Sequence, residues 1–380
     1  MSKASAIEAV SLTVVEVTPA TRWTFVRLLC SNGDTGIGEA TLTGREPDLI
    51  KAFEPMARMI KGKTTQEIDS SLSALPFASL PHAAIASAFS HACADLDGRR
   101  QSCGAAALFG EPCRDVVPLY ANINRRTRQR DAGAFAVSAG EAISAGFSAI
   151  KIAPFDGVEL YGDPVTEIDR EKIRIALDRI GAVRDAIGNQ HDLMVDCHWR
   201  LNPSAAREIL ASEECDGLHW FECPIPETPE NLAELGALRA FANRRGIRLA
   251  GCEEAIRVNG LLPFVKAGAY DVLMPDIKYI GGMEEVLTVA RMLEKHGLEI
   301  SPHNPSGPVA HVASLHMAAL MPNLGRLELQ FDETPAFTNL VASGLPRPDD
   351  GQSKLPEGTG LGLQFNHVEV AARSSMYIEI

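Results

Sequence analysis

Between about residue 117 and residue 335 the chain alternates short apolar runs with segments of helical pattern. The eight runs are PLYANIN, SAIKIAP, DLMVDCH, LHWFECP, IRLAGCEE, YDVLMPDI, LEISPHN and RLELQF. Strands that alternate with helices form parallel sheets, and a count of eight favours a closed barrel over an open sheet. We therefore predict an α/β fold whose central unit, residues 117–335, is a (β/α) TIM-like barrel.

The first third of the chain has a different pattern. Residues 7–40 alternate apolar and polar side chains, which predicts an antiparallel meander, and residues 81–98 form a small-residue-rich helical segment. We predict an α+β unit over residues 1–116. The Pro- and Gly-rich segment 336–380 ends in a β-like stretch, and we expect it to return to the N-terminal unit.

Composition excludes several classes of protein. The chain has 36 Lys and Arg against 49 Asp and Glu, a formal charge of -13, which argues against a nucleic-acid binder. Hydrophobic residues make up 46% and charged residues 22%, as in globular proteins. Since there is neither an apolar run of membrane-spanning length nor a signal-peptide pattern, we expect a cytoplasmic protein without a membrane partner.

Polar side chains stand at or near the ends of the predicted barrel strands. The C-terminal ends of barrel strands meet at one mouth, so residues far apart in sequence are expected to converge there. The residues concerned are Lys151, Asp196, His198, Glu222, Glu253, Asp276, His303 and Glu328.

Three of these residues are acids on consecutive strands, Asp196, Glu222 and Glu253. Each alone also fits a helix N-cap or a surface acid. Together, three carboxylates repel one another unless a cation lies between them, and an all-oxygen set suits a hard cation such as Mg2+. We therefore predict a magnesium site.

The eight cysteines form no CxxC pair and indicate reduced thiols. Cys197, Cys223 and Cys252 each adjoin one of the three acids. Because strand side chains alternate with period two, we expect these cysteines to point away from the barrel centre and not to bind metal.

Asp276 and His303 end the next two strands. A buried carboxylate that bonds an imidazole fixes its tautomer and makes it a general base. His198 shares the predicted inward face with Asp196 and is a candidate general acid. A structural histidine at position 303, and packing of His198 with Trp199 under a loop, remain alternatives.

In order, the motifs MVDCH, WFECP, LAGCEE, LMPDIKYIGG and ISPHNPSGPVA resemble the enolase superfamily in its mandelate racemase-like subgroup. The Asp-x-His of Asp196 and His198 and the His-x-Pro-x-Gly-Pro of His303 to Pro308 look most like those of sugar-acid dehydratases of the galactonate dehydratase type. The resemblance covers essentially the whole chain and implies that residues 1–116 and 336–380 form a capping domain.

The resemblance also implies a function. It suggests one Mg2+ per subunit at the three acids, His303 with Asp276 as the base, and Glu328 near the substrate carboxylate. The implied reaction dehydrates an aldonate or aldarate to a 2-keto-3-deoxy sugar acid, with His198 protonating the leaving hydroxyl. The implied partner is this small molecule alone, with neither nucleic acid nor membrane, in an even-numbered homo-oligomer.

One position departs from the subgroup. Racemases that resemble this family carry Lys-x-Lys on the second strand, whereas this chain has Lys151-Ile152-Ala153. Loss of the second lysine disfavours two-base racemisation, although Lys151 still qualifies as a catalytic or substrate-binding residue. An epimerase or cycloisomerase, a Schiff-base aldolase using Lys151, and a non-catalytic binding module stay open as alternatives.

Substrate contacts are also expected from the capping domain. Its segments 21–23 and 43–46 are placed to close over the mouth, which would exclude water from the reaction. Arg22, Trp23 and Arg45 are the candidates there, beside Lys151 and Glu328 in the barrel. Tyr161 is a weaker candidate.

Overall fold

The computed structural model describes residues 5–77, 79–160 and 166–380 of the chain. The N-terminal unit is an antiparallel sheet covered by helices. Its elements are β1 (Ile7–Glu16), β2 (Arg22–Cys30), β3 (Thr35–Glu39), α1 (Glu46–Ile60), α2 (Thr65–Ala74) and α3 (Leu80–Gln101).

Strand β3 lies unusually close to helix α3. A Cβ atom added to Gly38 would lie 1.9 Å from the backbone oxygen of Ala88, and one added to Gly36 would lie 2.1 Å from that of Ala92. The helix is rich in alanine on this side, so small residues face each other across the contact. Backbone approach of this kind requires glycine.

Among the described residues, eight parallel strands form the central sheet, as predicted. Each of them overlaps one of the eight apolar runs. They are β4 (Val116–Asn122), β5 (Ala149–Ile152), β6 (Asp192–Asp196), β7 (Trp220–Glu222), β8 (Arg248–Gly251), β9 (Val272–Leu273), β10 (Glu299–Ile300) and β11 (Leu327–Gln330).

In the parts of the chain that the structure describes, seven helices connect these strands. They are α4 (Ala132–Ser144), α5 (Glu167–Ile187), α6 (Pro203–Ala211), α7 (Leu232–Asn243), α8 (Arg257–Ala267), α9 (Met283–Lys295) and α10 (Pro308–Ala318). Short 3-10 turns lie at Ala105–Leu108, Glu213–Cys215 and Pro229–Asn231. Across the described ranges, each helix is too short or too polar to span a membrane.

The sheet closes into a barrel. The strands pair in chain order from β4 to β10, and β11 returns to pair in parallel with β4. Between β10 and β11 the closure is made by a bridge, in which the Ile300 N–H donates to Asn323 and the Ile300 carbonyl accepts from Gly325. The predicted fold class is therefore confirmed.

The C-terminal segment contacts both units. Its last strand pairs antiparallel with β1, while a middle strand pairs antiparallel with β4 of the barrel. The elements are α11 (Ala336–Asn339), β12 (Val341–Ser343), β13 (Gln352–Lys354), β14 (Gln364–Phe365), α12 (His367–Arg373) and β15 (Ser374–Glu379).

Apolar side chains fill the barrel interior beneath the strand ends, so the barrel is a packed core rather than a pore. The Tyr120 and Trp220 rings meet edge to face with centroids 5.4 Å apart. The filling residues are Tyr120, Ala149, Met194, Trp220, Ala250, Val272 and Met274.

The contact between β3 and α3 predicts the effect of one added methyl group. Gly38→Ala should lower the free energy of unfolding by about 1–3 kcal/mol, because backbone atoms of α3 must move. Gly140→Ala is the matched control, since a Cβ there meets nothing within 4 Å. That control should be neutral or stabilising by up to about 1 kcal/mol. Urea unfolding measures both, and equal stability of the two variants would contradict the close contact.

Candidate active site

Strand register brings two of the predicted acids side by side. Asp196 is the last residue of β6 and pairs in register with Glu222, the last residue of β7. Lys151 on β5 reaches the same point, where its Nζ lies 2.8 Å from Glu222 Oε1 and 3.2 Å from Glu328 Oε1. All four side chains are buried.

Glu253 follows β8 by two residues and lies in a different environment. Its Oε2 is buried, and within the described residues it has no hydrogen-bond partner. Nε2 of His303 lies 3.6 Å from this oxygen. An unsatisfied buried carboxylate oxygen is costly, so this atom is available to a ligand that enters the site.

The electrostatics of the cluster are unbalanced. Asp196, Glu222, Glu253 and Glu328 carry four negative charges when ionised, against the buried positive charge of Lys151 and the partly exposed ring of His198. Burial raises the pKa of Glu222 to about 8, and the charge of Asp196 adds to this. Burial also raises the pKa of Glu253, which the charges of Asp196 and Glu222 raise further. The site is therefore short of positive charge.

These residues fit a divalent cation. Such an ion would bind the unsatisfied oxygen of Glu253 and the adjacent carboxylates of Asp196 and Glu222. It would also supply the positive charge that the cluster lacks. In the described chain, possible ligand atoms of Asp196, Glu222 and Cys223 all lie within 4.8 Å of one another. Glu253 lies outside that group.

The expected orientation of Cys223 is wrong. Its sulfur lies on the side of the Asp196 and Glu222 carboxylates rather than in the helix layer. The reason is local, because Cys223 has a φ of 45°, which breaks the period-two alternation of the strand. Burial raises the pKa of its thiol, which keeps it protonated. Cys197 and Cys252 pack in the main hydrophobic core, as expected.

Asp276 and His303 form a hydrogen-bonded pair. Nδ1 of His303 lies 2.8 Å from Oδ2 of Asp276. A carboxylate only accepts hydrogen bonds, so Nδ1 carries a proton, and in the neutral ring Nε2 then keeps its lone pair. That nitrogen faces Glu253, which puts a potential base beside the acid cluster.

His198 folds back over Asp196. Its Nε2 lies 2.9 Å from Asp196 Oδ2, and its backbone N–H donates to Oδ1 at 2.8 Å. A φ of 48° produces this return, and the side chain stays 41% exposed. The charge of Asp196 raises the pKa of His198, which favours the protonated form of the ring.

Glu328 on β11 is held by three donors. Its carboxylate accepts from Asn122 Nδ2 at 2.5 Å, from the Asn304 N–H at 2.9 Å and from Lys151. Burial opposes its ionisation, but the charge of Lys151 lowers its pKa below the usual value. Sequence reasoning missed the two asparagines, because amides carry no charge pattern that marks them.

The capping-domain residues that were candidates for substrate contact fall in two groups. Arg22 and Arg45 are partly exposed and form ion pairs with Glu16 and Asp48 of their own unit. Among the described residues, neither bonds to the barrel. Trp23 is buried and packs edge to face on Phe337. Tyr161 lies outside the described residues.

Trp23 also lines a cavity of about 470 Å3 together with Ser306, Gln330 and Glu333. Thr21 closes one side of this region by donating a 2.6 Å hydrogen bond to Glu333. Within the described ranges, the lining does not include the three predicted metal ligands. The cavity thus adjoins the site through Ser306 rather than containing it.

Two charged residues at this centre were not singled out from the sequence. Lys278 is fully buried and bonds Asp276, and it stands two residues after that acid, so period two could have indicated it. Glu39 of β3 accepts from the N–H groups of Gly307 and Ala310 at the start of α10. No local sequence signal predicts a contact between such distant residues.

Family comparisons agree with this geometry. Residues 134–369 match the enolase C-terminal domain-like family, and residues 5–110 match the N-terminal domain family of mandelate racemase and muconate lactonizing enzyme. The first match covers the barrel from α4 onward, and the second covers most of the N-terminal unit, in the order expected from the sequence motifs.

Curated relatives include D-gluconate dehydratase from Thermoproteus tenax, 29% identical over 90% of this chain and 67% of that protein. D-galactonate dehydratase from Ralstonia nicotianae is 26% identical over 93% of this chain and 91% of its own length. D-galactarolactone cycloisomerase from Agrobacterium fabrum is 30% identical over 72% of this chain and 69% of its own.

Solved structures agree in fold. A mandelate racemase/muconate lactonizing enzyme from Jannaschia sp. CCS1 superimposes with a TM-score of 0.86 at 24% identity, covering 98% of each chain. Another from Sulfitobacter sp. gives a TM-score of 0.87 at 23% identity, covering 98% of this chain and 96% of its own. The chain therefore belongs to the mandelate racemase/muconate lactonizing enzyme family of the enolase superfamily, as its strand-end motifs implied.

Proposed function

We propose that this protein dehydrates a sugar acid, an aldonate or aldarate, to a 2-keto-3-deoxy sugar acid with the help of Mg2+. The observation that carries the proposal is the His303–Asp276 pair, whose free imidazole nitrogen lies 3.6 Å from an unsatisfied carboxylate oxygen of Glu253. The names of the relatives, dehydratases of gluconate and galactonate, support the substrate class.

Asp196, Glu222 and Glu253 would hold the cation. Their oxygen donors favour a hard ion, and the thiol of Cys223, kept protonated by burial, is a poor ligand for it. When bound, Mg2+ supplies the positive charge that makes the α-proton of a carboxylate acidic enough for imidazole to remove.

His303 takes the proton from C2 of the substrate through Nε2. Asp276 accepts the hydrogen bond from Nδ1 and so stabilises the imidazolium that forms. Electrons of the broken C2–H bond pass into the carboxylate to give an enediolate, which collapses as the C3–O bond breaks.

His198 donates a proton to the departing hydroxyl at C3, so that water leaves. Its position over Asp196, with the ring partly exposed, suits a group that reaches a substrate from the open side of the barrel. The enol that remains gains a proton at C3 and loses its hydroxyl proton from O2, which gives the 2-keto acid. The sum is loss of one water molecule without oxidation or reduction.

Lys151 and Glu328 orient the substrate in this proposal. The ammonium of Lys151 is fixed between Glu222 and Glu328, so it offers a fixed positive charge to the substrate carboxylate. A lysine held as a cation by two carboxylates does not serve as a second base. This argues against racemisation and against a Schiff-base role, which needs a neutral amine.

A cycloisomerase is the second candidate, because one relative with 30% identity is a D-galactarolactone cycloisomerase. Ala153 stands where a second lysine base would be expected, which weighs against an isomerisation that uses bases on both faces. The products separate the two candidates, since an isomer retains the mass of the substrate and a dehydration product lacks water.

A substrate panel tests the proposal. With Mg2+, the purified protein should release a semicarbazide-reactive 2-keto acid from at least one aldonate or aldarate, and chelation of the ion should stop the release. Mass spectrometry should find a product lighter by one water. An isomer of unchanged mass would support the cycloisomerase, and silence across a complete panel would contradict both candidates.

Replacement of the base tests the mechanism. His303→Asn keeps a donor toward Asp276 but removes the basic nitrogen, so kcat should fall by at least about 100-fold and exchange of the substrate α-proton in D2O should cease. His296→Asn, on the exposed end of α9, is the matched control and should behave as wild type. Exchange that persists in His303→Asn would mean that another group is the base.

A further inference from the structure

Lys278 is a buried cation whose ammonium contacts Asp276 and Ser306, on the two loops that carry the His303–Asp276 pair, and lies 4.9 Å from the centroid of the Tyr279 ring. It follows β9 in the same loop as Asp276, and its side chain is inaccessible to solvent. Nζ lies 2.6 Å from Asp276 Oδ2 and 2.5 Å from Ser306 Oγ. Burial of an ammonium group is costly unless it is paired and hydrogen-bonded, and both conditions hold here.

Lys278 engages both oxygens of the same carboxylate. Its backbone N–H donates to Asp276 Oδ1 at 2.7 Å, while its ammonium donates to Oδ2. Oδ2 also accepts from His303 Nδ1 at 2.8 Å, so one oxygen is shared by the lysine and the imidazole. The carboxylate is thus fixed in rotation, and the direction of its bond to the ring is fixed with it.

The charge of Lys278 also acts on Asp276. Burial opposes ionisation of Asp276, but the charge of Lys278, followed by the hydrogen bond from His303, lowers its pKa below the usual value. A protonated carboxyl would have a proton of its own to donate and would no longer require Nδ1 to be the donor. Lys278 therefore keeps Asp276 in the form that fixes the imidazole tautomer.

The hydrogen bond from Lys278 to Ser306 links the two loops that carry the His303–Asp276 pair. Ser306 belongs to the loop of His303, whereas Lys278 belongs to the loop of Asp276. The next residue, Gly307, donates its N–H to Glu39 Oε1 at 2.7 Å, so strand β3 of the N-terminal unit holds this loop from the other side. Lys278 thus joins the loop after β9 to the loop after β10.

We propose that Lys278 is a positioning residue for the base, holding Asp276 ionised and aligned so that His303 presents a free Nε2 toward the substrate. This assignment rests on the proposed function, because it is through His303 that Lys278 would affect a reaction. The proposed role differs from that of a simple ion pair, because it predicts that replacing Lys278 changes the hydrogen bond of the His303 imidazole to Asp276.

Substitution of the lysine tests this role without a substrate. In 15N-histidine-labelled wild type, His303 should give a downfield Nδ1–H resonance, assigned by its loss in His303→Asn. Lys278→Met should abolish or markedly shift this resonance, whereas Lys278→Arg, which keeps charge and donors, should retain it. Lys266→Met, an exposed lysine of α8, is the matched control and should leave it unchanged.

Kinetics provide the second readout. Lys278→Met should lower kcat and α-proton exchange by at least about 100-fold with KM within about threefold, and Lys278→Arg should recover much of the loss. Should Lys278→Met fail to fold, Ser306→Ala takes its place, with a shifted resonance and a smaller loss of kcat expected. An unchanged resonance in the folded lysine or serine variant, or wild-type kcat in Lys278→Met, overturns the proposal.

The two proposals fail in different ways. If the wild-type protein turns over no sugar acid but Lys278→Met still removes the His303 resonance, the positioning role stands and the proposed function is wrong. If the protein is an active dehydratase and Lys278→Met leaves the imidazole unchanged, the proposed function stands and the role of Lys278 is wrong.

Discussion

Four carboxylates and one lysine are buried together at the mouth of the barrel, and the rest of the site depends on how their charge is balanced. Lys151 pairs with Glu222 and Glu328, while Asp196 pairs with His198. Glu253 is left with an unsatisfied buried oxygen among the described contacts. Burial of unbalanced charge costs free energy, so such an arrangement is expected where a cation is to be bound.

The parallel barrel explains why residues so far apart in sequence share one site. Strand ends on one edge converge, and register then determines which neighbours touch, as for Asp196 beside Glu222. These features follow from hydrophobic patterning and strand order, which is why the barrel and the clustering of its strand-end residues could be predicted from the sequence. The roles of those residues remain proposals.

Other features depended on backbone conformation or long-range contacts that the sequence pattern does not encode. Cys223 faces the carboxylates because a left-handed φ ends the alternation of β7, a change no periodicity argument anticipates. The charges of Arg22 and Arg45 suggest substrate contacts, yet each of these residues bonds an acid of its own unit. Glu39 reaches the start of α10 only because the two units pack together.

Direct measurement of cation binding tests the central claim, that the strand-end carboxylates form one metal site. Electron paramagnetic resonance with Mn2+ as a probe should find one ion per chain that Mg2+ displaces. Glu253→Gln should weaken binding by at least about tenfold, whereas Glu254→Gln, its exposed neighbour, should bind as wild type does. Equal affinity of the two variants, or no bound ion in the wild-type protein, would contradict the account.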